Sequence, residues 1–211
     1  MKRTHMRLVF VILCLGTLVS AWTAQAQIKI LPVVLHWQET PEWCWATSGE
    51  MLMEYKGGVN PREVPECYEA NQELGRTDCC TCPTPSACVK PGWPQFSTWG
   101  FNSTETPGTP LTFSEVMGQI NNNDPFMFQW DWNGGGSHVM VAKGYFNFDF
   151  FGFAWNFIWV DNPLPPQGRC GPGNASGPFG GDVELDSYAE FVGGPGYNHT
   201  HGSDVYNISL K

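Results

Sequence analysis

The sequence predicts an α+β fold: a helix first, antiparallel strands afterwards. Three observations carry this. A helical period of apolar residues lies near residue 50, strand-like runs fill the C-terminal half, and a Pro-, Gly- and Cys-rich stretch separates the two.

The elements follow in chain order. Lys2, Arg3 and Arg7 precede the apolar run LVFVILCLGTLVSAW, which is short for a bilayer span, and AQA at 24–26 offers small residues around a cleavage point. Residues 1–26 are therefore expected to be a signal peptide and 27–211 a single domain, secreted or periplasmic. IKILPVVL is a short strand. WCWATSGEMLMEY has apolar residues at 45, 46, 51, 52 and 55, a helical spacing that KGG ends, and Pro41 and Glu42 suit a first helical turn. Cys44 then sits at or just inside a helix N-terminus. Residues 57–110 predict an irregular, crosslinked region with one short helix in VPECYEANQEL. LTFSEVMGQINNND predicts a helix with Leu111, Val116 and Ile120 inward. PFMFQWDW, HVMVAKGYF and FAWNFIWVDNP are strand-like, with FNFDFFGFAWNFIW forming an extended hairpin whose rings serve packing rather than a ligand. GGDVELDSYAEFV leads from strand to short helix, and DVYNISL closes the chain as a strand. His199 and His201 fall in a loop-like segment.

Charge narrows the partners. The chain carries 11 basic and 20 acidic residues. The leader removes three bases and no acid, so 8 − 20 gives −12 for the mature chain. Such a surface disfavours nucleic acid and repels anionic membranes, so no nucleic-acid partner and no stable membrane association after signal cleavage is expected. A monomer acting on a protein or peptide substrate, with no cofactor, is the expectation.

Beyond the leader stand Cys44, Cys67, Cys79, Cys80, Cys82, Cys88 and Cys170. In an oxidising compartment cysteines pair, and seven is odd. One thiol stays over. A zinc site from Cys79, Cys80, Cys82 and Cys88 is disfavoured, because the paired clips of common sites are missing, and no metal is expected.

Nucleophilic thiol chemistry needs a lowered pKa, a base, a group that orients the base and a donor for the oxyanion. A helix N-terminus at Cys44 meets the first need. His138 opens a strand after WNGGGS, where Gly136 and its neighbours let another backbone approach closely; a satisfied strand-end histidine is the plain alternative. Asp161 and Asn162 end a strand before Pro163, and either accepts a hydrogen bond from an imidazole, although Asp-Asn-Pro is also a turn initiator. Gln38 lies six residues before Cys44 and offers an amide N–H. Trp43 and Trp132 are candidates to line a cleft, as core residues equally are.

The order Q-x5-C-W-A, GGGSHVMVAKGY and WVDNP resembles the papain-like cysteine peptidases, and ANQELGRTDCC at 70–80 with PGWPQF at 91–96 resembles their compact bacterial secreted and effector-type branch. The resemblance implies a papain-like fold, its N-terminal catalytic helix packed on an antiparallel sheet or barrel with a disulfide-stapled insert. It also implies peptide-bond hydrolysis, with Cys44 as nucleophile, His138 as base, Asn162 as orienting group (Asp161 the alternative) and Gln38 in the oxyanion hole. The branch usually has Asp where this chain has Asn162. With Cys44 so assigned, six cysteines remain for three disulfides of undetermined pairing. Two other activities fit the same residues: acyl transfer of the transglutaminase kind, and a non-catalytic disulfide-rich binding module.

Overall fold

The computed structural model describes residues 25–57, 64–151, 153–164, 166 and 180–211. Apart from Gln25 and Ala26 the expected leader lies outside them, as does Cys170. Among the described residues seven strands and four helices follow in order. These are β1 (Gln25–Ile30), α1 (Cys44–Gly57), α2 (Glu66–Leu74), β2 (Phe101–Pro107), α3 (Phe113–Asn121) and β3 (Phe126–Trp132). Then come β4 (Ser137–Phe150), β5 (Phe153–Asn162), β6 (Asp182–Ser187), α4 (Tyr188–Val192) and β7 (His199–Leu210). The strands form one antiparallel sheet in the order β2-β7-β3-β4-β5-β6, with β1 also paired to β4. This is the expected α+β, papain-like architecture.

The N-terminal half of β4 lies at the centre of that sheet. Val139, Met140, Val141 and Ala142 are all buried, so this part of β4 is covered on both faces. Against it packs α1, through Met51, Leu52 and Met53 among others. One polar contact sets the helix on the strand: Ser48, one turn beyond Cys44, donates from Oγ to the Val139 carbonyl at 3.2 Å. Pro41 and Glu42 form a turn before the helix rather than its first turn.

The crosslinked insert closes over the head of α1. Cys67 pairs with Cys80, Cys79 with Cys88, and Cys82 is disulfide-bonded as well. Each such link stabilises a fold by about 2–4 kcal/mol, chiefly by restricting the unfolded chain. These sulfurs are oxidised and do not present the thiolates a zinc site requires. The ANQELGRTDCC segment has a local logic: Gly75 caps α2 at φ 62°, while Asn71 Oδ1 accepts the Cys79 N–H at 2.9 Å and so positions both crosslinks.

The structure corrects three further expectations. FNSTETP, inside the region read as irregular, is β2; only Phe101 of it is fully buried, so it shows no alternating pattern. His199 and His201 are on β7 and not in a loop, and the His199 ring stacks on Trp130 at 3.9 Å. The aromatic hairpin is real, and Phe148 stacks with Phe150 and Trp155. Its tip is not packed core, however, since Phe153 is 69% exposed.

Behind α1, where it meets α2, five carboxyl groups gather. Glu66 and Glu69 are buried, and a Cβ at Gly49 would stand 2.7 Å from a Glu69 oxygen, so a side chain there would have to displace the Glu69 carboxyl. His36, bonded to Glu54 at 2.6 Å, is the neighbouring base. Burial pushes Glu50 up to about 7, with His36 opposing the rise and the charges of Glu39 and Glu54 adding to it. Burial also holds Glu66 and Glu69 well above the usual carboxylate range, and the neighbouring acids reinforce it. A carboxyl group whose pKa is raised on folding binds more protons folded than unfolded. Its stabilising contribution is full below the unfolded pKa and is lost as pH rises through the folded one. The melting temperature is therefore expected to fall by about 5 °C or more between pH 5 and pH 8.5. Glu69→Gln is expected to flatten that slope, and thermal unfolding followed by circular dichroism across this range measures both.

Candidate active site

The cleft lies where the head of α1, the insert and the β3–β4 turn meet, with a volume of about 490 Å³. Cys44, His138, Trp132 and Gly136 line it, and so do Gly92 and Trp93 of the insert. Four of the expected site residues thus come together. The turn that brings Gly136 to the wall uses φ values of 92° at Gly135 and 82° at Gly136, and the Trp132 N–H closes it on the Gly136 carbonyl at 3.0 Å.

Among the described residues Cys44 is the free cysteine. It opens α1, whose first turn contains no acidic side chain to offset the positive end of the helix dipole. Burial nevertheless pushes its thiol up to about 11; backbone hydrogen bonds with Val139, Trp45 and Cys44 itself pull the other way, and the Glu42 charge adds to the rise. The Val139 contact sets the sulfur beside the residue that follows His138. Burial likewise holds His138 below its ordinary pKa, opposed by its bond to Asn162. Both shifts favour the thiol and the neutral imidazole.

Which imidazole nitrogen carries the proton follows from the hydrogen-bond network. Asn162 Oδ1 lies 2.8 Å from His138 Nε2 and also accepts the Leu164 N–H at 3.0 Å, while Asn162 Nδ2 donates to Glu184 Oε1 at 2.8 Å. The Leu164 amide only donates, and Glu184 Oε1 takes the Asn162 amide hydrogen, so both fix the Asn162 oxygen toward His138. Nε2 must then donate, leaving the lone pair of neutral His138 on Nδ1. Trp132 lies nearly parallel to the ring, 15° between planes and 6.4 Å between centroids.

Strand register separates Asp161 from Asn162. Asp161 stands opposite Val141, and Val160 opposite Ala142, so Asn162 falls on the face of His138 and Met140. Asp161 points to the other face, fully buried, where it pairs with Lys143. The alternative third member is thus turned away from His138.

Two further candidates depart from expectation. Trp43 is not on the cleft: it is fully buried, and its Nε1 donates to the Cys88 carbonyl at 2.8 Å, holding the insert. Trp45 forms part of the wall, and its Nε1 holds the Lys90 carbonyl at 3.3 Å. The two tryptophans flanking Cys44 therefore dock the insert on the helix head. Gln38 is fully buried and is not among the lining residues; its amide donates to the Thr40 carbonyl at 2.8 Å, because the side chain folds back over its own turn. Its backbone N–H bonds to the Pro163 carbonyl at 3.0 Å, which ties it to the end of β5.

Sequence reasoning had given no role to Trp93, Gly92 or Glu184. PGWP was the available signal for the first two: a Cβ at Gly92 would stand 2.7 Å from the Trp45 ring, so the insert approaches the wall only through glycine. No local pattern marks Glu184.

The family model described as papain-like cysteine protease AvrRpt2 matches residues 25–147, more than half of the 211-residue chain. The matched span contains Gln38, Cys44 and His138 and ends before Asn162. No curated protein matches the chain. The cleft with its free cysteine and the extent of the match agree: this chain belongs to the papain-like cysteine protease family and is a cysteine peptidase, a hydrolase that acts on protein.

Proposed function

We propose that the protein is a secreted or periplasmic endopeptidase that works as a monomer through Cys44, His138 and Asn162. The observation that carries this is an unpaired sulfur at the head of α1 that lines one cleft with a histidine whose Nε2 is bonded to Asn162. His138 Nδ1 takes the Sγ proton as the sulfur attacks the scissile carbonyl carbon. The tetrahedral intermediate places its negative oxygen at the Cys44 backbone N–H at the head of α1. Collapse breaks the C–N bond, His138 returns the proton to the departing amine, and a thioester remains on Cys44. His138 then deprotonates a water, which releases the acid and restores the thiol. Asn162 holds the tautomer throughout. Trp132 and Gly136 line the path of the substrate chain.

Export is supported by the charged and apolar leader with AQA at its end, and by the disulfides of the insert, which persist in an oxidising compartment. The reading is tested with dye-quenched casein and the epoxide E-64. One equivalent of E-64 is expected to attach to Cys44, identified by peptide mass mapping, and to stop hydrolysis. Incorporation of a labelled amine in place of hydrolysis would assign acyl transfer instead. Casein left intact, with Cys44 unlabelled, would leave a binding module.

A further inference from the structure

Glu184 lies on β6, away from the cleft wall, yet it holds the far end of the His138–Asn162 chain. Its Oε1 accepts from Asn162 Nδ2 at 2.8 Å, across 22 residues of sequence. An asparagine amide can turn over and exchange its oxygen for its nitrogen. If Asn162 did so, Nδ2 would face His138 Nε2, which would then have to accept. The imidazole proton would move to Nδ1, and the base would present a hydrogen to Cys44 where it needs a lone pair. The Leu164 N–H opposes this turnover by donating to Oδ1, and Glu184 opposes it by demanding a donor.

We propose that Glu184 is a positioning residue that locks the Asn162 amide so that His138 stays basic at Nδ1, and that it is the reason position 162 holds an amide. In this chain a carboxylate at 162 would stand at hydrogen-bond distance from a second one, and two like charges that close cannot both remain ionised in place. Glu184 and Asn162 therefore form a matched pair: acceptor outside, amide between, imidazole inside. This rests on the assignment of Cys44 and His138 made above.

Four variants test it in the intact mature protein, with dye-quenched casein as substrate and melting temperature recorded for each. Glu184→Gln keeps an acceptor oxygen and is expected to stay within about threefold of the parent kcat. Glu184→Ala is expected to lower kcat about tenfold at unchanged KM, the scale of a misaligned general base. Asn162→Asp is expected to lose more than about tenfold, and the double variant Asn162→Asp/Glu184→Gln to recover most of it, because the new amide at 184 donates to the new carboxylate. A purely structural part for Glu184 would move the melting temperature and leave kcat per folded molecule alone. Parent-like kcat in Glu184→Ala, or a double variant no better than Asn162→Asp, overturns the proposal. Cys44→Ala and His138→Ala in the same assay separate the two levels. If they are inactive while Glu184→Ala is parent-like, only the part given to Glu184 falls; if they retain activity, the assignment beneath it falls.

Discussion

Cys44→Ala is expected to lower kcat/KM for dye-quenched casein by at least about 10³-fold while shifting the melting temperature by less than about 3 °C. The activity loss follows because, among the described residues, Cys44 is the free thiol that lines the cleft with His138, and removing one member of such a set removes most of its catalysis. The small stability change follows because the sulfur bridges nothing. A like substitution in the insert should do the reverse. Cys79→Ala breaks the link to Cys88 and is expected to cost about 2–4 kcal/mol, with the intrinsic chemistry of any folded fraction preserved. Casein hydrolysis and thermal unfolding of both variants check the pair of outcomes. Activity surviving in Cys44→Ala would sink the mechanism.

The second large effect separates two neighbours on β5. Lys143→Met leaves the Asp161 carboxylate buried without its cation, and breaking a buried pair from one side costs about 3–5 kcal/mol. For a chain of this size that lowers the melting temperature by roughly 10 °C, with kcat per folded molecule expected within about threefold of the parent. Asn162→Ala should behave in the opposite way. It removes the acceptor of the His138 Nε2–H and is expected to lower kcat about 10- to 100-fold. Its melting temperature is expected to stay within about 3 °C, because Asn162 is only partly buried. Chemical denaturation alongside the casein assay measures both. A Lys143→Met protein that was fully stable but inactive would place Asp161, not Asn162, with His138.

These two residues also mark where sequence reading stops. Period-two alternation says that Asp161 and Asn162 face opposite ways, but not which of them faces His138. That depends on the pairing of β5 with β4, where the register shifts between Ala142 and Gly144. A shift of one residue would exchange their places. Trp43 and Trp132 were alike as sequence candidates, and the fold divides them: one carries the insert from inside the core, the other stands on the cleft beside His138. Gln38 sits at the expected spacing, yet its side chain meets Thr40 because a turn's own backbone is its nearest acceptor. Glu184 gives no local signal at all, since its meaning is a contact made after two strands have paired.

Taken alone, the sequence determined that a helix begins at Cys44, that strands follow it, and that the cysteines between them are crosslinks. Those are consequences of local periodicity, breakers and cysteine parity, which act over a few residues at a time. Only the tertiary structure decided which polar side chain meets which: His138 with Asn162, Asp161 with Lys143, Asn162 with Glu184. Such pairings are set by sheet register and by the packing of α1 on β4, and a displacement of one residue, invisible in composition or spacing, would rewrite them all.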